Sequence, residues 1–157
     1  MIVIGIDPGL AIVGFGVIST NNGTITPISY GCIRTSADKK TPQRLEQIYS
    51  EVNSLFEKYE PEVIAVERLF FNTNVTNAMS VSEARGVIFL AAQQKNVPIF
   101  EYTPSQVKQA ITGSGRADKK QMQEMIKRIL NLDEIPQPDD AADGLSIALC
   151  HISILKY

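Results

Sequence analysis

The chain opens with apolar runs that are typical of β-strands. Residues 2–7, IVIGID, show no polar alternation, which is the pattern of a strand covered on both faces. Two further strand-like runs follow at 12–20 and 24–35, and Asn22-Gly23 between them is a strong signal for a tight hairpin turn. We therefore expect the first three strands to form an antiparallel meander.

The rest of the chain alternates between helical and strand-like patterns. Thr41-Pro42 predicts a helix start with Thr41 as the N-cap, and Pro61 ends that helix. Two more strands are predicted at 62–67 and 97–102. Four more helices are predicted. The first ends near Gln94, and the second runs from Thr103-Pro104 to about Ile111. The third spans 118–130, with Met122, Met125, Ile126 and Ile129 inward, and the fourth spans 140–155. This order predicts an α/β fold, in which a mixed five-stranded sheet (antiparallel meander plus parallel strands) has helices on both faces.

Length and composition narrow the class of protein. A chain of 157 residues predicts a single domain spanning 1–157. We expect no membrane association and a cytoplasmic location, because the sequence has no long apolar window and no signal-peptide pattern at its start. Cys32 and Cys150 form no CxxC motif, and His151 is the only histidine. A histidine- or cysteine-rich metal site is therefore excluded.

Charge is distributed unevenly along the second half of the sequence. The formal net charge of the chain is -2, which alone argues against nucleic acid. Residues 104–130 nevertheless carry six basic and two acidic side chains, whereas 131–157 carry one basic and five acidic side chains. A basic segment beside an acidic cluster suits a site that holds cations and a polyanion together. A solvated helix face followed by an acidic loop would give the same pattern.

Carboxylates stand at the ends of buried strands and at the start of the last helix. Asp7 and Glu67 each end a strand, and ligand sites of open α/β sheets lie beyond the carboxyl ends of strands. In DDAADG, Asp140 and Asp143 share a helix face, and Asp139 and Asp143 could do so as well. Individually, Asp7 could form a turn, Asp139 or Asp140 could cap the helix, and Asp143 could be a solvated first-turn acid. Glu67 has no such explanation.

Several carboxylates in one pocket predict bound cations. Two unit charges about 4 Å apart repel by roughly 4 kcal/mol at an effective dielectric constant of 20, so such a group needs protons or cations. Oxygen-only ligands favour Mg²⁺ or Mn²⁺. Four carboxylates could hold two ions, which is the arrangement that hydrolyses a phosphodiester by in-line displacement.

Nucleotide-binding loops fit the sequence less well. There is no GxGxxG motif, and GSGRADKK does not match GxxxxGK[ST]. The segment GIDPGLAIVGFGV is similar to the first phosphate loop of actin-like ATPases. Those proteins need two such domains around the nucleotide, and this chain has room for one.

Five motifs, in order and with similar spacing, resemble the RuvC family of Holliday-junction resolvases in the RNase H-like superfamily: GIDPGLAIVGFGV, VIAVERLFF, ARGV, FEYTPSQVKQAITGSGRADKKQM and DDAADGLSIALCH. The resemblance covers essentially the whole chain. It implies a homodimeric, Mg²⁺-dependent endonuclease that cuts two symmetry-related strands of a four-way DNA junction during recombination and repair. It also implies RuvA–RuvB as a branch-migration partner.

The resemblance also implies roles for individual residues. The four catalytic and metal-binding acids fall on Asp7, Glu67, Asp140 and Asp143, and the D-A-A-D pattern selects Asp140 over Asp139. Two Mg²⁺ ions per subunit are implied, with Mn²⁺ as a substitute. Gly144 stands where many relatives have Ala. The DNA contacts fall on an aromatic residue that stacks on bases and on basic residues that bind phosphates: Phe70, Lys108 and Lys119, with Arg116 and Lys120 as their basic neighbours.

Three questions stay open at the level of sequence. The second helix, SVSEARGVIFLAAQQ, is apolar on more than one face, so it is either a dimer seam or a helix buried within one subunit. The acids would also suit a nuclease acting on RNA–DNA hybrids or flaps. A module that binds junctions without cutting them is the remaining alternative, and Phe70 and Phe71 could simply be core residues.

Overall fold

The computed structural model describes residues 1–69 and 75–155. Five strands form one sheet in the order β3-β2-β1-β4-β5. The strands are β1 (Ile2–Asp7), β2 (Ile12–Asn21), β3 (Thr24–Arg34), β4 (Val63–Glu67) and β5 (Ile99–Tyr102). The helices are α1 (Thr41–Tyr59), α2 (Val75–Gln94), α3 (Pro104–Thr112), α4 (Lys119–Ile129) and α5 (Asp139–Ile154). The predicted element order and mixed sheet are confirmed.

The central strand β1 joins the two halves of the sheet. It pairs antiparallel with β2, which pairs antiparallel with β3, so the predicted meander is confirmed. On its other edge β1 runs parallel to β4, and β4 runs parallel to β5. The parallel pairs use α1 and α2 as crossovers, because parallel strands cannot be joined by a tight turn.

Apolar side chains fill a core on each face of the sheet. Alternate residues of β1 point to opposite faces, so Val3 enters one core and Ile4 the other. The first core includes buried residues of α3, α4 and α5, whereas the second includes those of α1 and α2. The prediction of helices on both faces is therefore confirmed. Within the described ranges, no helix is long and apolar enough to cross a membrane.

Several helix boundaries differ from the sequence prediction. The N-cap of α1 is Lys40 rather than Thr41, so Pro42 occupies the second helical position. Thr103 does cap α3, where its side chain accepts a hydrogen bond from the backbone amide of Gln106. Ile129, predicted to face inward, is 37% exposed because it lies in the last turn of α4.

Glycines allow α5 to lie directly on the backbone of the sheet. A Cβ atom at Gly14 would overlap the carbonyl oxygen of Asp140, and one at Gly144 would lie 2.5 Å from the carbonyl carbon of Phe15. Neither strand nor helix could carry a larger side chain here without moving the other. The structure thus gives Gly144 a packing role, and the same contact fixes the first turn of α5 beside the end of β1.

The only histidine is part of this packing. His151 of α5 is 2% exposed, and its Nδ1 lies 2.7 Å from the hydroxyl of Tyr102 on β5. A buried polar group is stable when it has such a partner. The pair ties the last helix to the edge strand.

Candidate active site

Asp7 and Glu67 meet at the carboxyl edge of the sheet. They are the last residues of β1 and β4, which are parallel neighbours with Ile6 opposite Val66. Parallel neighbours end at the same edge, so both carboxylates lie there as predicted from the sequence. Apolar residues precede each acid and are fully buried, which fixes the backbone from which each carboxylate projects.

The first turns of α5 bring two further acids to the same edge. Gly14 on β2 is the register partner of Asp7, and it is also the residue over which the backbone of Asp140 lies. Asp143 follows one turn later and is partly buried. The close glycine contact therefore places Asp140 and Asp143 near Asp7, although the sequence separates them widely.

Electrostatic interactions show that the acids form one group. Burial raises the pKa of Asp7 to about 8, and the charges of Glu67, Asp143 and Asp140 add to this rise while Lys119 opposes it. At neutral pH, Asp7 is therefore stable with a proton or beside a cation, but not as an isolated carboxylate.

Glu67 and Asp143 show the same behaviour to a smaller extent. Burial and the charge of Asp143 raise the pKa of Glu67 to about 6, and Lys108 opposes the rise. Burial also raises the pKa of Asp143; Lys119 opposes this rise, whereas the charges of Asp140 and Asp139 add to it. The charge of Asp143 thus acts on Glu67, and the charges of Asp140 and Asp139 act on Asp143.

Two of the predicted phosphate-binding residues lie beside these acids. Lys108 of α3 and Lys119 of α4 line a cavity of about 150 Å³ that Glu67 and Asp143 also line. Met122, Val107 and Ile126 form its apolar side. A cavity lined by two lysines and two carboxylates can hold both an anion and a cation.

Asp139 does not cap α5. The N-cap is Pro138, and Asp139 is the first helical residue. Its Oδ2 lies 2.6 Å from the ammonium nitrogen of Lys119, and its Oδ1 accepts a hydrogen bond from Gln123 Nε2 at 2.9 Å. The hydrogen bond from Lys119 lowers the pKa of Asp139. Asp139 therefore pairs with α4, and its charge also raises the pKa of the nearby Asp143.

The other predicted DNA contacts are farther from the acids or outside the described residues. Arg116 is exposed in the loop before α4. Lys120 lines a separate groove of about 430 Å³, together with Ser114 and Arg128. Phe70 and Phe71 lie outside the described residues, so their predicted roles stay predictions.

The acids do not converge on one point. Among the residues described, no group of three or more His, Cys, Asp or Glu side chains is arranged to hold a metal ion. The chemistry of the donor set nevertheless fits a hard cation, because every candidate ligand is a carboxylate oxygen. The raised pKa of Asp7 points the same way, because a nearby cation would favour the ionised form that burial and the neighbouring acids disfavour.

Comparison with known proteins identifies the family. The family model described as "Crossover junction endodeoxyribonuclease RuvC" matches residues 3–151. A protein with the same description from Brevibacillus brevis is 55% identical over 157 residues, covering 100% of this chain and 95% of its own. One from Alkaliphilus metalliredigens is 54% identical over 151 residues, covering 96% of this chain and 92% of its own. The chain belongs to the RuvC family.

Solved structures agree with this RuvC assignment. Thermus thermophilus RuvC in complex with a Holliday junction substrate matches with a TM-score of 0.94 and 35% identity, over 99% of this chain and 95% of that one. The yeast mitochondrial Holliday junction resolvase Ydc2 matches with a TM-score of 0.71 at 16% identity, over 96% of this chain and 78% of that one. The second likeness concerns the fold alone.

Sequence reasoning missed one contact of this RuvC site. It treated Asp139 as a cap or a ligand and did not consider Gln123, which joins Asp139 to α4. Lys119 and Gln123 are four residues apart, so they lie on one face of α4. That spacing was visible in the sequence, but nothing there showed that this face meets the start of α5.

Proposed function

We propose that this protein is an endonuclease that resolves Holliday junctions, with Asp7, Glu67, Asp140 and Asp143 as its catalytic acids. The observation that carries the proposal is the electrostatic coupling of four acids at the carboxyl edge of the sheet, in a chain that belongs to the RuvC family. The proposed reaction is hydrolysis of one phosphodiester in each of two symmetry-related strands, as part of recombination and repair in the cytoplasm.

The four acids are proposed to hold Mg²⁺, two ions per subunit, with Mn²⁺ as a substitute. Ions bound there would supply an activated water and would stabilise the leaving 3′-oxygen of the cleaved phosphodiester. The chain itself supplies the four carboxylates, from the ends of β1 and β4 and from the first turns of α5. Asp7 is proposed as the central ligand, because the charges of all three other acids raise its pKa.

The lysines are proposed to position the DNA backbone. Lys108 and Lys119 border the same cavity as Glu67 and Asp143, so a phosphate held by their ammonium groups would lie beside the acids. Such contacts are independent of base sequence and weaken as salt rises. Arg116 and Lys120 are exposed farther along the basic segment and are proposed to contact flanking backbone. Phe70 is proposed to stack on a base at the crossover.

A homodimer is part of the proposal, and α2 offers the surface. Ala84, Ile88 and Ala91 are buried against the subunit's own core. Met79 and Leu90, in contrast, are 60% and 52% exposed on the outside of the helix. Two-fold pairing through this face would give one nuclease centre for each of two strands. RuvA–RuvB as the partner that delivers junctions is proposed from family membership.

The test is cleavage of a synthetic four-way junction in Mg²⁺. We expect paired, symmetric nicks, and we expect Asp7→Asn to abolish cutting while thermal unfolding shows a folded protein. Lys95→Gln is a matched control, because Lys95 is remote from the acids and pairs only with Glu57 at the surface. That variant should cut like the wild type.

Three results would contradict the proposal. Wild-type cutting by Asp7→Asn would remove the acids from the chemistry. Equal cutting of an RNA–DNA hybrid, or junction binding that never leads to cutting in any divalent ion, would favour one of the alternatives left open by the sequence.

A further inference from the structure

In the structure, the ammonium group of Lys119 contacts the carboxylate of Asp139. The proposed function needs the same ammonium group to bind DNA. The ammonium nitrogen lies 2.6 Å from Asp139 Oδ2, and both side chains are about half exposed, at 59% and 47%. Lys119 is thus at the rim of the site, where a phosphate could reach it. As the structure stands, it binds a carboxylate of the protein instead.

Asp139 is held in place for this contact. Gln123 donates a hydrogen bond to its other oxygen at 2.9 Å, so one carboxylate joins two residues on the same face of α4. The start of α4 is itself fixed, because the Asp118 side chain accepts a hydrogen bond from the backbone amide of Gln121. The pairing therefore rests on the capped start of α4 and on a second hydrogen bond to Asp139, rather than on two free side chains.

A DNA phosphate must compete with Asp139 for Lys119. An ammonium group is a compact point charge, and a carboxylate already in contact reduces what it offers to a second anion. Asp139 also places a negative charge on the rim that a polyanion has to approach. Both effects weaken binding of the DNA backbone, and both are screened by salt because the pair is exposed.

We propose that Asp139 is an internal competitor for the phosphate-binding Lys119 and so limits how tightly the protein holds the DNA backbone beside its acids. This inference rests on the proposed phosphate contact of Lys119. It gives Asp139 a role separate from metal binding, although it is adjacent to Asp140 in the sequence.

The test is a double-mutant cycle on junction binding, measured by fluorescence anisotropy in EDTA so that no cutting occurs. The proteins are the wild type, Asp139→Asn, Lys119→Gln and the double variant. Asp139→Asn should bind the junction roughly two- to fivefold more tightly at low salt, in keeping with the usual strength of exposed ion pairs. Its affinity should also fall more steeply with salt, by up to about 0.9 in the log–log slope.

The double variant decides whether the effect acts through Lys119. In the Lys119→Gln background, Asp139→Asn should change affinity by less than in the wild type, because no ammonium is left to release. Asp133→Asn is the charge-matched control, since Asp133 is an exposed acid in the loop before α5. It should shift affinity less than Asp139→Asn and leave the salt slope unchanged.

The failures of the two proposals can be told apart. Weaker or unchanged binding by Asp139→Asn, or an equal gain with and without Lys119, would overturn the competitor role while leaving the proposed function standing. If Lys119→Gln alone bound like the wild type, the proposed phosphate contact of Lys119 would be wrong, and the competitor role would fall with it.

Discussion

At the scale of single residues, the site is organised around one carboxylate that burial makes difficult to ionise. Asp7 ends a strand whose preceding residues are fully buried, and three other acids raise its pKa further. When a cation is bound, the ionised Asp7 can act as its ligand. Without a cation, ionisation of Asp7 lowers the free energy of unfolding. The stability of the protein should therefore carry a signature of Asp7 even in the absence of DNA.

The signature is a fall in the stability of the metal-free protein as pH rises. Asp7 has a pKa of 3.8 when unperturbed and of about 8 in the fold. Between these values the folded protein keeps a proton that the unfolded chain has lost, so the free energy of unfolding decreases as pH rises and this contribution is lost by about pH 8. Asp7→Asn removes the titration, and thermal unfolding in EDTA should then depend less on pH.

The informative quantity is the difference in the free energy of unfolding between the wild type and Asp7→Asn, because the other titrating groups are present in both proteins. Asp7→Asn should be more stable than the wild type at pH 8, and the gap should narrow toward pH 4. Each pKa unit corresponds to about 1.4 kcal/mol, so the gap should be large enough to measure. A variant that lost stability equally at both pH values would show that Asp7 is not destabilised by its surroundings. Mg²⁺ should raise the melting temperature of the wild type more than that of Asp7→Asn.

At the scale of elements, the site depends on how α5 lies on the sheet. The contact is between backbones, since Gly14 and Gly144 leave no side chain between strand and helix. Asp140 and Asp143 are carried by the first two turns of α5, so their positions follow from this contact. Strand β2 and helix α5 are far apart in the sequence. They pack closely because glycines stand at their contact, rather than because a specific pair of side chains joins them.

Gly14→Ala should separate the carboxylates without removing any of them. Its Cβ would overlap the backbone of Asp140, so α5 has to shift, at a cost of about 1–3 kcal/mol in the free energy of unfolding. A displacement of about 1 Å at a catalytic centre can reduce activity roughly 100-fold, and we expect a loss of that order in junction cleavage.

Gly31→Ala on β3 is the matched control. The added Cβ would lie 3.2 Å from the end of the Phe15 ring, which can give way, and it meets no backbone of α5. Cleavage by this variant should stay near the wild-type level. Equal losses for the two variants would mean that the glycine contact has no special connection with the site.

Sequence reasoning was most successful where a pattern is local. The run IVIGID predicts a buried strand, and β1 begins and ends at the predicted residues. The bounds are clear in the sequence because the apolar run is not interrupted by polar residues before Asp7. The sequence does not show that β1 and β4 are neighbours, because strand order depends on the packing of both faces of the sheet. The partner of Asp139 was missed for the same reason, since Lys119 reaches it only after α4 and α5 have packed.

At the scale of the whole molecule, the exposed apolar residues of α2 bear on the proposed homodimer. The helix is fastened to its own subunit through an ion pair between Arg85 and Glu101 of β5 and through its buried alanines. Its outer face still presents Met79 and Leu90 to solvent. A second copy of the chain could cover that face, and paired nicking would then depend on it.

Leu90→Lys should convert a dimer into a monomer. Placing an ammonium group in an apolar seam removes the buried area and adds an unpaired charge, so sedimentation velocity should show a smaller species. The monomer should nick junction strands singly and lose the pairing of the two cuts. Leu155→Lys is the control, because Leu155 is 56% exposed at the end of α5, away from the proposed seam. A wild-type sedimentation coefficient for Leu90→Lys would place the dimer contact elsewhere.

The union of β1 with α5 also has a consequence for biosynthesis. The ribosome makes Asp7 more than 130 residues before Asp140 and Asp143. A nascent chain that stops short of α5 therefore holds at most two of the four acids. If these acids are the catalytic group, as proposed, such a chain cannot cut DNA until α5 has emerged and docked.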